Sequence, residues 1–247
     1  MQRDVALMEL LVERRAETLD ELAARFFPAQ SRKRARNRLG QLTGAGYLQR
    51  TKVMVPSFGE PQNVYTLGPK GKRALELRSP AAVELFGDRR FNPTLRTASL
   101  PHQIVTNRVA DQLGVRMTPE HLLARARDAV AVRPDGVYRA GERPDIRPDV
   151  WVEVDLGHYS RRRLHAKAEA AMQQDETVRG MVFVCATAER ARQIERWLGE
   201  PGYREGRVEF AVVTLAELSP DALDPWLRPG RDGGVDLPGL SGWTGSA

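Results

Sequence analysis

The sequence predicts a small α+β domain followed by a larger α/β domain, the latter a mixed sheet flanked by helices. Three observations carry this. Residues 31–67 pass from a strongly basic helical pattern, through a glycine-containing turn, into two short alternating strands. After His102, helical and strand patterns interleave in the order α-β-β-α-β-α-β. Between them, residues 79–101 hold three prolines, isolated charges and little periodicity, which marks a linker with one short helix around Ala81 to Phe86. A chain of 247 residues, 41% of them hydrophobic, has room for about two domains.

In the first domain, residues 1–78, Asp4 to Arg15 sets Val5, Met8, Leu11 and Val12 on one face of an amphipathic helix. Thr18 and Glu21 form a capping box that opens a second helix, with Leu22, Ala23 and Phe26 inward. Ser31 caps a third helix, where a 3.6-residue period turns Ala35, Leu39 and Leu42 toward a core. The opposite arc carries Lys33, Arg34, Arg36, Asn37 and Gln41, and Arg32 and Arg38 add to its charge. Arg and Lys pair with phosphate or guanine, Asn and Gln with adenine. A basic run taken alone is more often a solvated face, so its neighbours decide. Gly44 and Gly46 end the helix, Tyr47 to Val55 alternates as a strand, and Pro56 to Gln62 is a loop. Asn63 to Leu67 returns as a second strand, and Gly68-Pro69-Lys70-Gly71 leads into a helix containing Ala74, Leu75 and Leu77.

Helix, capped helix, basic helix, hairpin and closing helix is the order of a winged helix-turn-helix. The segments GYL and VYTLGPKGKRAL resemble that superfamily. The resemblance implies double-stranded DNA as partner, with Lys33 to Gln41 in the major groove and Lys52, Lys70 and Lys72 near the backbone. A winged helix that binds protein is the alternative. Charge favours DNA: residues 1–90 hold 17 Lys or Arg against 10 Asp or Glu, whereas the remainder holds 21 against 22. The whole positive excess of a +6 chain therefore lies in the first part, and binding to a polyanion should weaken with salt.

No apolar run approaches the length of a bilayer span, and Met1 opens no signal-peptide pattern, so the expected location is cytoplasmic, with no membrane partner. The single cysteine, Cys185, lies in an apolar run and reads as a core residue; no internal disulfide is available to it. Residues 219–247 are rich in Pro, Gly, Asp and Ser and read as a flexible tail, with Trp226 and Trp243 able to dock on the body.

In the second domain, residues 102–218, His102 to Leu113 reads as a helix. A strand from Ala129 runs through Pro134-Asp135 to Tyr138, and Arg139 to Arg147 is a polar turn. Val150 to Asp155 is a strand, followed by a helix over Arg161 to Gln174, strand Met181 to Cys185, helix Ala188 to Leu198 and strand Val208 to Val213. Strand period 2 points Val150, Val152 and Val154 into a core, and Trp151, Glu153 and Asp155 the other way. With Asp135 on the neighbouring strand, three carboxylates converge and repel, which a hard cation such as Mg²⁺ would relieve. The plain alternative is a solvated face at a sheet edge. Lys167 matters because only five lysines stand against 33 arginines, and four of the five lie in the first domain. Placed one turn from Leu164 and Ala171, it faces or borders the inward side, where an ammonium either organises the carboxylates or forms a plain salt bridge.

The segments RPDGVY, WVEVDLG and RLHAKAEA resemble the PD-(D/E)xK nuclease-like fold. The whole layout is similar to the replication-relaxation family of plasmid and mobile-element proteins. The positions carrying that likeness are His102, Asn107, Asp135, Glu153-Val-Asp155-Leu-Gly157 and Lys167. The resemblance implies a catalytic set of Asp135, Glu153, Asp155 and Lys167 if the domain is active, with Asp135, Glu153 and Asp155 as metal ligands. The sequence departs from the nuclease pattern in one place: Asp155 stands where the lysine belongs, and Lys167 would have to substitute from the helix. Pro148-Asp149 is a competing pair, too close to Glu153 for a separate strand.

Three functions follow. The first is a double-stranded DNA-binding protein acting in replication, mobilisation or maintenance of a plasmid or mobile element, its nuclease-like domain not cutting. The second is a Mg²⁺-dependent DNA endonuclease. The third is a winged-helix transcriptional regulator with a dimerising or ligand-sensing C-terminal domain. Beyond DNA, the expected partners are a second copy of the chain and replication or mobilisation proteins.

Overall fold

The computed structural model describes residues 2–28, 31–55, 58–78, 80–87, 95–114, 117–126, 132–139, 149–157, 159–174, 177–200, 203 and 208–219. These fall into two compact units, Met1–Asn107 and Arg108–Val235. The proposed tail beyond residue 219, linker residues 88–94, residues 140–147 of the polar turn and residues 129–131 lie outside the described residues.

The first unit opens with α1 (Gln2–Arg14), whose Leu7, Met8, Leu11 and Val12 are buried; Val5 is only half-buried. Strand β1 (Ala16–Thr18) runs directly into α2 (Leu19–Phe26). Thr18 closes the capping box: its hydroxyl accepts from the Glu21 amide, and its own amide donates to the Glu21 carboxylate at 3.0 Å. Helix α2 buries Leu22, but the aromatic it sinks into the core is Phe27 at its C-cap, while Phe26 is half-buried. Helix α3 (Arg32–Gly44) begins at Ser31 and buries Ala35, Leu39 and Leu42, as the 3.6-residue period predicts. Gly46 supplies the positive φ of +83° that turns the chain into β2 (Leu48–Met54). Strand β3 (Pro61–Leu67) then starts two residues earlier than the sequence pattern suggests.

The sheet order is β1-β3-β2, antiparallel throughout, with Ala16 opposite Thr66 and Leu48 opposite Leu67. Helix α4 (Pro69–Glu76) buries Leu75, whereas Leu77, just past its end, is 74% exposed and belongs to no core. Helix α5 (Pro80–Gly87) buries Ala82, Leu85 and Phe86, so the start of the expected linker is packed structure.

Gly71 shows how closely α4 docks. A Cβ at that position would lie 2.3 Å from the Tyr47 carbonyl oxygen and 2.7 Å from Leu67 Cδ1. The first of these is backbone and cannot swing aside. Gly71→Ala is therefore expected to destabilise the first unit by about 1–3 kcal/mol, the usual cost of overpacking. Urea unfolding followed by far-UV circular dichroism would show an early transition moving to lower denaturant. An unchanged curve would mean that α4 does not pack in this way.

Helix α6 (Leu100–Leu113) starts in the first unit. Its Asn107 is 5% exposed and donates to the carbonyls of Arg14 (3.2 Å) and Ala16 (2.6 Å). Those carbonyls flank Arg15, a non-glycine residue at φ +63°, so Asn107 clamps a turn that is costly for an L-residue.

The second unit is a five-stranded mixed sheet in the order β4-β5-β6-β7-β8. Strands β4 (Thr118–Pro119), β5 (Gly136–Arg139) and β6 (Asp149–Asp155) are antiparallel; β6, β7 (Val178–Cys185) and β8 (Glu209–Thr214) are parallel. Helix α7 (Glu120–Ala126) follows β4, α8 (Arg161–Met172) joins β6 to β7, and α9 (Ala188–Leu198) joins β7 to β8. Ser160 and Thr187 cap α8 and α9 by accepting from the amides of Arg163 and Arg190. One core gathers Trp151, Met181 and Phe183 of the sheet, Leu164, Ala168 and Ala171 of α8, and Ala191, Ile194 and Leu198 of α9. Every residue of β6 is buried, on both of its faces. The solvated-edge reading is thereby overturned, because β6 is the central strand.

Candidate functional site

Two groups of side chains carry chemistry, one in each unit. In the first unit, α3 presents Lys33, Arg34, Arg36, Asn37 and Gln41 to solvent. Two other arginines of the helix are engaged within the unit. Arg32 Nε and Nη2 donate to the Asp20 carboxylate at 2.5 and 3.0 Å. Arg38 donates to both oxygens of Asp4, at 3.1 and 2.6 Å, and to Gln41 Oε1 at 3.0 Å. The Arg38 guanidinium holds the Asp4 carboxyl below the ordinary carboxylate range, against the opposing effect of burial. Arg32 and Arg38 thus fix α3 against α2 and α1, and the remaining basic residues project outward.

On the hairpin, Lys52 is exposed, and so is Arg50, which the sequence reading did not single out. Arg50 lies opposite Tyr65 across the β2–β3 ladder, and Tyr65 lies opposite Glu17 across β3–β1. Strand alternation alone could have flagged Arg50, since it shares a face with Lys52. Lys70 is exposed at the start of α4. Lys72 is half-buried, 4.0 Å from Glu76, with its ammonium 5.1 Å from the centre of the Phe86 ring.

In the second unit, Asp135, Glu153 and Lys167 converge. Asp135 is not on a strand: it occupies the bend just before β5. From there its Oδ2 accepts from the Val154 amide at 2.8 Å. Glu153 has no exposed surface, and both its oxygens lie 2.5 Å from Lys167 Nζ. Lys167 also donates to the Arg133 carbonyl at 3.0 Å and stands 4.0 Å from Asp135 Oδ1. Small residues Ala168 and Ala171 on the same face let α8 lie close to the sheet, which brings the ammonium into reach.

Tyr159, absent from the sequence reading, completes the group. Its hydroxyl donates to Glu153 Oε2 at 2.9 Å and lies 3.4 Å from Asp135 Oδ2. Burial, then the Glu153 and Asp135 charges, push the phenol upward, so it remains a proton donor. Burial and Asp135 raise the Glu153 carboxyl above the ordinary range, and the Lys167 ammonium opposes them.

Asp155 does not join this cluster, although alternation places it on the face of Glu153. Asp155 Oδ1 instead accepts from the Gly157 amide at 2.7 Å, and Oδ2 accepts from Arg190 Nε at 2.7 Å and Nη2 at 2.6 Å. Arg190 Nη2 also donates to the Tyr159 carbonyl, so this pair shapes the turn that delivers Tyr159 to Glu153. Burial, with the Asp155 charge, pushes the nearby Cys185 thiol up to about 12, an inert core thiol as expected.

Asp135, Glu153 and Asp155 are therefore not gathered into one group of three. Among the described residues, no group of three or more His, Cys, Asp or Glu side chains is placed to hold a metal ion. Glu153 gives its oxygens to Lys167, and Asp155 gives its own to Arg190 and the following turn.

A family model described as Replication-relaxation matches residues 8–172, two thirds of the chain. The chain belongs to the replication-relaxation family. No curated protein and no solved structure matches it. In this replication-relaxation chain the matched span ends at the C-terminus of α8. It contains the basic helix, the Asn107 clamp and the Asp135–Glu153–Lys167 cluster, but not Arg190. Among the described residues, no helix is long and apolar enough to cross a membrane.

Proposed function

We propose that this protein binds double-stranded DNA and acts in the replication, mobilisation or maintenance of a plasmid or other mobile element. The first unit is read as a winged helix-turn-helix, with α3 in the major groove and the β2–β3 hairpin as the wing. The observation that carries this reading is the division of labour on α3. Arg32 and Arg38 are held by Asp20 and Asp4, while Lys33, Arg34, Arg36 and Asn37 stay exposed on one arc. Gly40 lies on the exposed side of that helix, where a Cβ would meet nothing within 4 Å. Glycine there costs about 1 kcal/mol relative to alanine, with no packing within the unit to require it. A bare strip beside Asn37 and Gln41 suits close approach to a groove. Family membership and the location of the positive charge support the same assignment.

The second unit is read as a PD-(D/E)xK-like scaffold that does not cut. A catalytic carboxylate must hold its metal where the scissile phosphate can reach that metal, and Glu153 is wholly buried, with both oxygens on Lys167 and one also on Tyr159. One experiment addresses both units. Supercoiled plasmid is incubated with excess full-length protein in Mg²⁺ or Mn²⁺ and run on agarose before and after proteinase treatment. Retarded migration before treatment, and intact supercoiled DNA after it, is the expected result. Unretarded DNA would contradict the first assignment. Metal-dependent nicking that disappears in Glu153→Ala would contradict the second.

A further inference from the structure

Lys167 Nζ is surrounded by oxygen atoms: both carboxylate oxygens of Glu153 at 2.5 Å, the Arg133 carbonyl at 3.0 Å and Asp135 Oδ1 at 4.0 Å. Two carboxylates and a backbone carbonyl are the donors a hard divalent cation takes. We propose that Lys167 is the resident cation of this oxygen cage, a tethered charge in the place of a divalent metal, and that its removal creates a metal site. The second unit then folds and works without metal. This goes beyond the DNA reading of the first unit and does not depend on it.

Three features support the assignment. The ammonium is fixed rather than mobile, since Leu164, Ala168 and Ala171 seat the helix face that carries it in the core. The other lone pairs of the cage are partly occupied, by the Tyr159 hydroxyl on Glu153 and the Val154 amide on Asp135. The residue type also fits. In a chain with 33 arginines and five lysines, this position holds a lysine, whose compact point charge enters a cage that a planar guanidinium would not. Without Lys167, two buried carboxylates, with side-chain exposures of 9% and 0%, would lie close together and disfavour each other's charge, which favours uptake of either protons or a cation.

Full-length wild-type protein, Glu153→Gln, Lys167→Ala and Lys167→Ala/Glu153→Gln are titrated with Mn²⁺. Bound metal is read by electron paramagnetic resonance, and unfolding is followed by tryptophan fluorescence. The wild type is expected to bind no Mn²⁺ at this position, and its unfolding temperature to be unmoved by Mn²⁺ or a chelator. Lys167→Ala is expected to unfold at lower temperature without metal and to bind Mn²⁺. Its midpoint should rise by about 5–10 °C at a Mn²⁺ concentration of roughly 100 times its Kd. The added Glu153→Gln is expected to abolish that recovery. Mn²⁺ binding by the wild type that is lost in Glu153→Gln would overturn the proposal. So would a Lys167→Ala chain that Mn²⁺ does not stabilise, including one that fails to fold in saturating Mn²⁺.

Discussion

Truncating Glu153 to alanine is expected to destabilise the second unit by about 3–5 kcal/mol, the range for breaking a buried ion pair by removing one partner. The loss arises less from the missing attraction than from what remains. Lys167, 6% exposed in the core, keeps only the Arg133 carbonyl as a close acceptor, with Asp135 4.0 Å away, and the Tyr159 hydroxyl loses its shorter acceptor, leaving Asp135 Oδ2 at 3.4 Å. Replacing both partners, as Glu153→Gln/Lys167→Met, removes the uncompensated charge and should recover most of the loss. Trp151 is buried on β6 two residues from Glu153, so urea unfolding read by tryptophan fluorescence reports on the surroundings of the pair. A Glu153→Ala midpoint within about 0.5 kcal/mol of wild type, the scale of an ordinary surface change, would show that the pair is not buried as described.

Much of the first unit was legible because its signals are local. The Thr18–Glu21 box, the Ser31 cap and the Ala35–Leu39–Leu42 stripe each lie within a few residues, and each reappears in the structure. Strand β1 was not legible. It has three residues, and its partner β3 lies nearly fifty residues away. Nothing local distinguishes Phe27 from Phe26 either, because the choice depends on how α2 ends. In the second unit, alternation placed Glu153 and Asp155 on one face, and helical spacing turned Lys167 inward; both stand. What alternation cannot supply is the identity of a remote partner. Asp155 was grouped with Glu153 because its true partner, Arg190, comes 35 residues later on another helix. Tyr159 was missed for a similar reason: a tyrosine in a turn carries no period, and only the turn held by Asp155 directs it to Glu153.

The second large effect concerns α3. Substituting Arg34, Arg36 and Asn37 together by alanine removes three exposed side chains from one arc and leaves Ala35, Leu39, Leu42 and the Arg38–Asp4 pair in place. The fold of the first unit should survive, and the loss should fall on DNA. A base-reading contact is worth about 1–3 kcal/mol, so three such losses predict duplex affinity reduced by roughly 100-fold or more. Each phosphate contact among them should also lower the slope of log K against log salt by about one. Fluorescence anisotropy of a labelled duplex, titrated with wild-type and triple-variant protein at several salt concentrations, measures both quantities. Weakened binding with a shallower salt slope is the expected outcome; wild-type affinity and slope in the triple variant would contradict the assignment of α3 as the DNA-reading helix.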